Sequence, residues 1–295
     1  MKNKVIVVAG PTAVGKTKYA IELAKKNNGE IVSLDSVQVY KYLDIGSGKV
    51  TKAEMDGIPH YMIDVVEPSV NLNVKEFKDM AVKYIDDIIN RGKTPILVGG
   101  TGFYIRAILF DTDFLEEDEE LHFKVREELY SELDSKGIDI LYNRLKEVDL
   151  ESYMKIPIGN VTRIIRALEF YKLHGFPISK HNLIERIKES KYDYDFYVLN
   201  MDRDKLYEKI NKRVDKMVED GLLMEVKKLI DMGIDANSNA MKSIGYKELY
   251  NFYDLLLLLH FLVDSFWLLL PYITRVILFN STPHDPKFVA PVIAS

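Results

Sequence analysis

Gly10, Pro11, Thr12, Ala13, Val14, Gly15, Lys16 and Thr17 form a complete G-x-x-x-x-G-K-[ST] sequence directly after the apolar run Val5 to Ala9. That spacing suits the binding of a phosphate chain, with a glycine turn that binds nothing as the alternative. The glycines let successive backbone N–H groups curl round an anion, Lys16 adds a point charge, and Thr17 offers a hydroxyl to Mg²⁺ at the start of the next helix. The same loop binds ATP and other nucleotides in many enzymes, so the pattern specifies the anion and leaves the reaction open.

Three further stretches carry groups suited to chemistry. Asp35-Ser36-Val37-Gln38-Val39-Tyr40 follows the apolar run Glu30 to Leu34, at the strand edge where α/β sheets bind ligands. An aspartate there lies within reach of whatever the phosphate loop holds, although a turn or N-cap aspartate would occupy the same place. Acid, amide and phenol together suit hydrogen bonding to, and stacking on, a nucleobase. The run Thr94 to Val98 ends in Gly99-Gly100-Thr101-Gly102-Phe103-Tyr104, which offers amides and one hydroxyl to an oxyanion. Phosphoryl-transfer enzymes commonly place a metal-binding carboxylate at such a strand end. Its absence weakens nucleotide hydrolysis or transfer, with Asp64 the remaining metal carboxylate. Arg163 and Arg166 stand three apart on one helix face, arranged to meet an RNA backbone or to pair with Glu169.

These groups need a scaffold, and the periodicity supplies one. Apolar runs at Lys4 to Ala9, Glu30 to Leu34, Tyr61 to Val66 and Thr94 to Val98 predict strands. They alternate with helical patterns such as Val74 to Arg91, where Phe77, Ala81, Ile85 and Ile88 share a face. The prediction is an α/β fold, a P-loop NTPase-like doubly wound parallel sheet carrying a helical insertion domain. We assign residues 1–114 to the first part of the α/β core and 115–190 to a charged helical insertion. Residues 191–250 form the second part of the core, with a strand at Phe196 to Leu199 and helices at Asp204 to Glu219 and Leu222 to Met232. Residues 251–295 form an atypical apolar C-terminal segment.

The chain has 295 residues, 47% of them hydrophobic, enough for a substantial core, and a net charge of −5. The charge is uneven: Glu116 to Glu151 carries 13 acidic and 5 basic side chains, whereas Lys155 to Arg213 carries 13 basic and 8 acidic. A basic stretch of this kind suits an RNA-facing surface, and ordinary solvated helices would show it equally. There is no cysteine, which excludes disulfides and thiolate zinc sites and fits a cytoplasmic protein. The basic start gives way to an apolar run that ends at Gly10-Pro11, so no secretion signal is expected. Leu255 to Leu270, at about 16 residues, is short of the roughly 20 that span a bilayer, and no integral membrane span is expected.

Taken in order, Gly10 to Thr17, Asp35-Ser36-x-Gln38-x-Tyr40 with Asp44-Ile45-Gly46, Gly99-Gly100-Thr101-Gly102-x-Tyr104, Arg163-Ile-Ile-Arg166-Ala-Leu-Glu169 and Ser243-Ile-Gly245-Tyr246-Lys247-Glu248 resemble the motifs of one family. It is the tRNA isopentenyltransferase family, the tRNA dimethylallyltransferases, and the likeness covers about residues 1 to 250. The resemblance implies transfer of a dimethylallyl group from dimethylallyl diphosphate to N6 of adenine 37 in the tRNA anticodon stem-loop, by a monomer that uses Mg²⁺. It further implies that Asp35 is the general base, that Thr101 hydrogen-bonds the bridging oxygen of the diphosphate and that Arg213 contacts the diphosphate. Asp35, Ser36, Val37 and Gln38, with Arg163 and Arg166, would contact tRNA, and the helical insertion 115–190 would face it. The family's basic C-terminal tail has no counterpart, since Arg275 and Lys287 are the only Lys or Arg residues from Asn251 to Ser295. A small-molecule kinase of the same fold and a non-catalytic RNA-binding relative stand as alternatives.

Overall fold

Val5, Ile6, Val7 and Val8 are all buried in β1 (Lys4–Ala9). Burial on both faces marks a central strand of a parallel sheet, where helices cover each side. A computed structural model describes residues 2–115 and 119–259. It resolves two units, one of Met1–Ile108 with Tyr192–Ser295 and one of Leu109–Lys191.

In the first unit, α1 (Lys16–Lys26) follows β1 and buries Ala20, Ile21, Leu23 and Ala24. These pack with Ile6, Val8, Ile31 and Ile96 of the sheet. Next come β2 (Gly29–Ser33), β3 (His60–Tyr61), α2 (Val74–Asn90), β4 (Thr94–Gly99) and α3 (Gly102–Leu109). Asn73 opens α2 with a capping box, accepting from the Glu76 amide while Glu76 returns the bond to the Asn73 amide. After the second unit the chain returns as β5 (Asp193–Val198), whose pairing with β1 completes a sheet in the order β3-β2-β4-β1-β5. Every pairing between these strands is parallel. The carboxyl ends of β1, β2 and β4 therefore share one edge, and that edge carries the phosphate loop, the Asp35 turn and Gly99 to Thr101.

Two strand expectations need correction. The strand expected over Tyr61 to Val66 stops at Tyr61, because Met62 and Asp64 take left-handed backbone (φ 61 and 56). Asp64 and Val65 instead bond to the carbonyls of Gln38 and Val39. The strand expected at Phe196 begins at Asp193, and as an edge strand it lacks the fully apolar run that would have marked its start.

Glu30 sits almost wholly buried on β2 with four polar contacts. Arg91 donates to both carboxylate oxygens at 2.8 and 2.6 Å, Lys93 donates at 2.5 Å and the Tyr61 phenol at 2.8 Å. The Arg91 bonds above all, against the opposing effect of burial, hold this carboxyl at about 2, down from 4.5. Its stabilisation is complete above pH 4.5 and is lost as pH falls from there to about 2, an effect worth up to about 3 kcal/mol. The melting temperature is expected to fall more steeply across that window in the unaltered protein than in Glu30→Gln. Parallel pH profiles of the two would show that Glu30 does not set acid stability.

The chain continues in this unit with α9 (Arg203–Glu219), α10 (Leu222–Asp231) and α11 (Tyr246–Leu259). The rest of the apolar C-terminal segment, 260–295, lies outside the described residues. No described helix is long and apolar enough to cross a membrane.

The second unit is helical: α4 (Glu119–Lys136), α5 (Ile138–Val148), α6 (Leu150–Lys155), α7 (Val161–His174) and α8 (Ile178–Ile187). Val125 and Leu129 of α4, Leu141 and Leu145 of α5, and Ile164, Ile165 and Leu168 of α7 form its core. Asn160 caps α7 through the Arg163 amide, and Gly175 ends it in the left-handed conformation. Glu169 is fully buried in α7. Arg126 donates to its two oxygens at 2.8 and 2.9 Å, Arg166 bonds at 3.2 Å and His122 stands at 3.3 Å. A carboxylate taken out of water needs partners of this kind.

Candidate active site

The phosphate loop owes its shape to residues that tolerate unusual backbone. Gly10 has φ +147, and a Cβ there would stand 2.5 Å from the Leu199 carbonyl oxygen. Gly15 (φ 103) caps α1 in the left-handed region, with Ala13 also at positive φ. From the first residue of α1, the Lys16 ammonium donates to the carbonyls of Gly10 at 2.9 Å and Pro11 at 2.8 Å. Burial pulls the Lys16 ammonium below its ordinary value; the Asp35 charge works against this and the Arg213 charge adds to it. Thr12, Ala13, Gly15, Lys16 and Thr17 face a cavity of about 940 Å³, while Val14 is buried behind them.

Asp35 forms the turn after β2: its Oδ1 accepts from the amides of Val37 at 2.9 Å and Gln38 at 3.2 Å. The local turn role anticipated for an aspartate here is therefore real. It occupies one oxygen, and Oδ2 carries no hydrogen bond among the described residues. Ser36, Val37 and Gln38 also line the cavity. The Gln38 side chain lies near the carbonyls of Ser47 (3.4 Å) and Gly48 (3.3 Å).

Arg213 reaches the same cavity from α9 and donates through Nη2 to the Ser47 carbonyl at 3.0 Å. Burial lowers the guanidinium from its ordinary value, and Asp35 counteracts it; an arginine stays charged under that pressure. Lys16, Asp35 and Arg213 thus sit within one another's electrostatic reach. Around them the cavity wall is apolar and aromatic, with Tyr40, Phe77, Tyr104, Val214, Met217 and Ile244. The Phe77 and Tyr104 ring centroids are 4.4 Å apart.

Other expected site residues lie elsewhere. Thr101 is exposed at the edge of α3 and is not part of the cavity wall, though its neighbour Gly100 is close enough that an added Cβ would stand 3.9 Å from Lys16 Nζ. Asp64 is also outside the wall, in a salt bridge with Lys49 at 2.5 Å. Arg163 and Arg166 belong to the helical unit, where they border a groove of about 240 Å³ with Lys155 and Arg186. Arg166 is partly committed to Glu169 and approaches His122 Nε2 at 3.0 Å. Phe77, Asn239 and Lys242 line the cavity although the sequence marked none of them as a site residue. Phe77 carried the signal of a core helix position, and the other two lie in an irregular stretch with no period to read.

Comparison with known proteins matches residues 38–265 to the family described as IPP transferase. The chain is 46% identical over 250 residues to a tRNA dimethylallyltransferase of Acetivibrio thermocellus, covering 85% of this chain and 79% of that protein. It is 48% identical over 249 residues to one of Lachnoclostridium phytofermentans, covering 84% and 79%. The crystal structure of a tRNA isopentenylpyrophosphate transferase from Bacillus halodurans superposes with TM-score 0.60 at 40% identity, over 95% of this chain and 85% of that one. A eukaryotic dimethylallyltransferase captured acting on tRNA superposes with TM-score 0.73 at 30% identity, over 94% and 68%.

Proposed function

The chain belongs to the IPP transferase family, and from that premise we propose how its cavity transfers a dimethylallyl group from dimethylallyl diphosphate to tRNA. The acceptor atom is N6 of adenine 37. Its lone pair attacks the allylic C1, the C1–O bond breaks with its electrons passing to the diphosphate, and Asp35 takes the N6 proton through the oxygen left free by the turn. Lys16 and Arg213 stabilise the negative charge that develops on the leaving group, in a site partly shielded from water. The convergence of these two cations and one carboxylate at the mouth of the phosphate loop is the observation that carries the reading.

The remaining residues follow from that placement. The amides from Gly10 to Thr17 cradle the diphosphate. Thr101, one residue from Gly100, donates to its bridging oxygen. Tyr40, Phe77 and Tyr104 offer the apolar wall that an isoprenoid chain or an extruded base needs, and Gln38 with Ser36 and Val37 meets the base edge. In the helical unit, Arg163 and Arg166 meet the RNA backbone. The domain assignment made from the sequence, with 115–190 facing tRNA, belongs to the same proposal, as does a cytoplasmic place of work.

The described residues contain no cluster of three or more His, Asp or Glu side chains able to hold a metal. Thr17 and Asp35, which line the same cavity, fit a different case: Mg²⁺ carried mainly by the diphosphate and water, with few protein ligands. Thr17 would hold it there, and the ion would neutralise charge on the departing diphosphate.

Incubation of the protein with Mg²⁺, dimethylallyl diphosphate and unmodified tRNA, followed by mass analysis of the nucleosides, is expected to show one C5 unit added to adenosine. Phosphorylated product from ATP would favour the kinase, and tRNA binding without transfer the inactive relative.

A further inference from the structure

Glu225 lies outside every sequence motif, in the first turn of α10. Its Oε2 accepts from the amides of Asp44 and Ile45, each at 2.8 Å, and its Oε1 from the amide of Gly46 at 3.0 Å. The Tyr246 phenol, at the start of α11, donates to the same Oε1 at 2.6 Å. Successive amides converging on an anion are the arrangement by which backbone binds phosphate; here the anion is the protein's own side chain. Tyr246 is fully buried. A Cβ at Gly46 would stand 2.6 Å from its ring, so the loop backbone lies directly on the phenol. Burial, with Glu225 beside it, pushes the phenol far above its ordinary value, and it remains a donor.

The loop held in this way presents two carbonyls to the cavity. That of Ser47 accepts from Arg213 Nη2 at 3.0 Å and lies 3.4 Å from the Gln38 amide nitrogen, which also reaches the Gly48 carbonyl at 3.3 Å. Among the described residues, the bond to Ser47 is the one hydrogen bond of the Arg213 guanidinium. Gly48 has φ +56, and any Cβ there would fall on that guanidinium. The direction of Arg213 therefore depends on where the 44–48 loop stands, and Glu225 ties that loop at three consecutive amides, alongside the Lys49 bonds to Asp44 and the Tyr40 carbonyl.

We propose that Glu225, steadied by Tyr246, is a positioning residue: it fixes the 44–48 loop so that the Ser47 carbonyl aims Arg213 at the diphosphate. This rests on the prenyl-transfer reading for the identity of the anion. Charge-assisted bonds to three consecutive amides define the height and tilt of the loop, which a single contact would leave free. Glu225→Gln keeps the size of the side chain and replaces one acceptor oxygen by a donor facing amide N–H groups. Tyr246→Phe removes only the hydroxyl.

The test is a double-mutant cycle with Arg213→Gln, read by calorimetric affinity for inorganic diphosphate in Mg²⁺ and by the single-turnover transfer rate. With Arg213 present, Glu225→Gln is expected to lower both on the order of tenfold, and Tyr246→Phe to lower them less. With Arg213→Gln already in place, the added loss is expected to shrink to within about twofold. Losses that multiply fully in both backgrounds would show that Glu225 is only a structural tie and overturn the proposal. If melting curves show that Glu225→Gln fails to fold, the Tyr246→Phe cycle decides on the same criterion. Unaltered protein that binds diphosphate and transfers nothing defeats the prenyl-transfer reading alone; the affinity cycle then judges the clamp.

Discussion

Asp35→Ala is expected to lower turnover by about 10²- to 10⁴-fold, the usual share of a positioned proton acceptor, while tRNA affinity stays near that of the unaltered protein. Asp35 holds the turn besides its proposed part in proton transfer, however, and alanine removes both. Its Oδ1 holds the amides of Val37 and Gln38 at 2.9 and 3.2 Å, so part of the loss would come from a loosened turn. Asp35→Asn separates the two, because the amide oxygen can still accept those bonds while the side chain can no longer take a proton. The asparagine variant is expected to be nearly as slow as the alanine variant in single-turnover transfer. A fast asparagine variant beside a slow alanine one would make Asp35 a turn residue and leave the reaction without its base.

Lys16→Ala comes next in size, with affinity for inorganic diphosphate falling by about 10- to 100-fold. That is the range of one charge-assisted hydrogen bond, 1.5–3 kcal/mol by general experience. The ammonium is anchored by the Gly10 and Pro11 carbonyls at 2.9 and 2.8 Å and partly withdrawn from water, where its field on an anion is stronger than at an open surface. Lys16→Arg is not expected to restore the affinity, since a planar fork on a longer stem cannot take the place of a compact ammonium between two carbonyls. Diphosphate binding by Lys16→Ala as tight as that of the unaltered protein would remove the lysine from the cradle.

The elements that hold these residues differ in how openly the sequence displays them. α1 and α2 are legible because their buried positions, such as Phe77, Ala81, Ile85 and Ile88, repeat at helical spacing. The phosphate loop is legible because its function needs glycine and lysine at fixed intervals of one short stretch. The Asp35 turn is half legible: its place at a strand end can be read, but the sharing of its oxygens between turn and cavity cannot. The strand over Tyr61 to Val66 is misread because an apolar run says nothing of the left-handed backbone at Met62 and Asp64. α3 escapes because it opens on glycine and lasts 8 residues, too few for a clear period. Arg213 is visible only through family likeness, and Glu225 not at all. Its partners at Asp44 to Gly46 are about 180 residues away in the chain, and on α10 it reads as one more solvated glutamate.

The rim of the cradle also bears on how the protein is made. Gly10 rests against the carbonyl oxygen of Leu199, and β1 takes as its outer neighbour a strand that begins at Asp193. During translation the G-x-x-x-x-G-K-[ST] stretch precedes this support by more than a hundred residues, among them an entire helical unit. So distant a pairing slows folding through the entropy of closing the intervening loop. A truncated product ending before β5 would carry the phosphate motif without the neighbouring strand against which it is set.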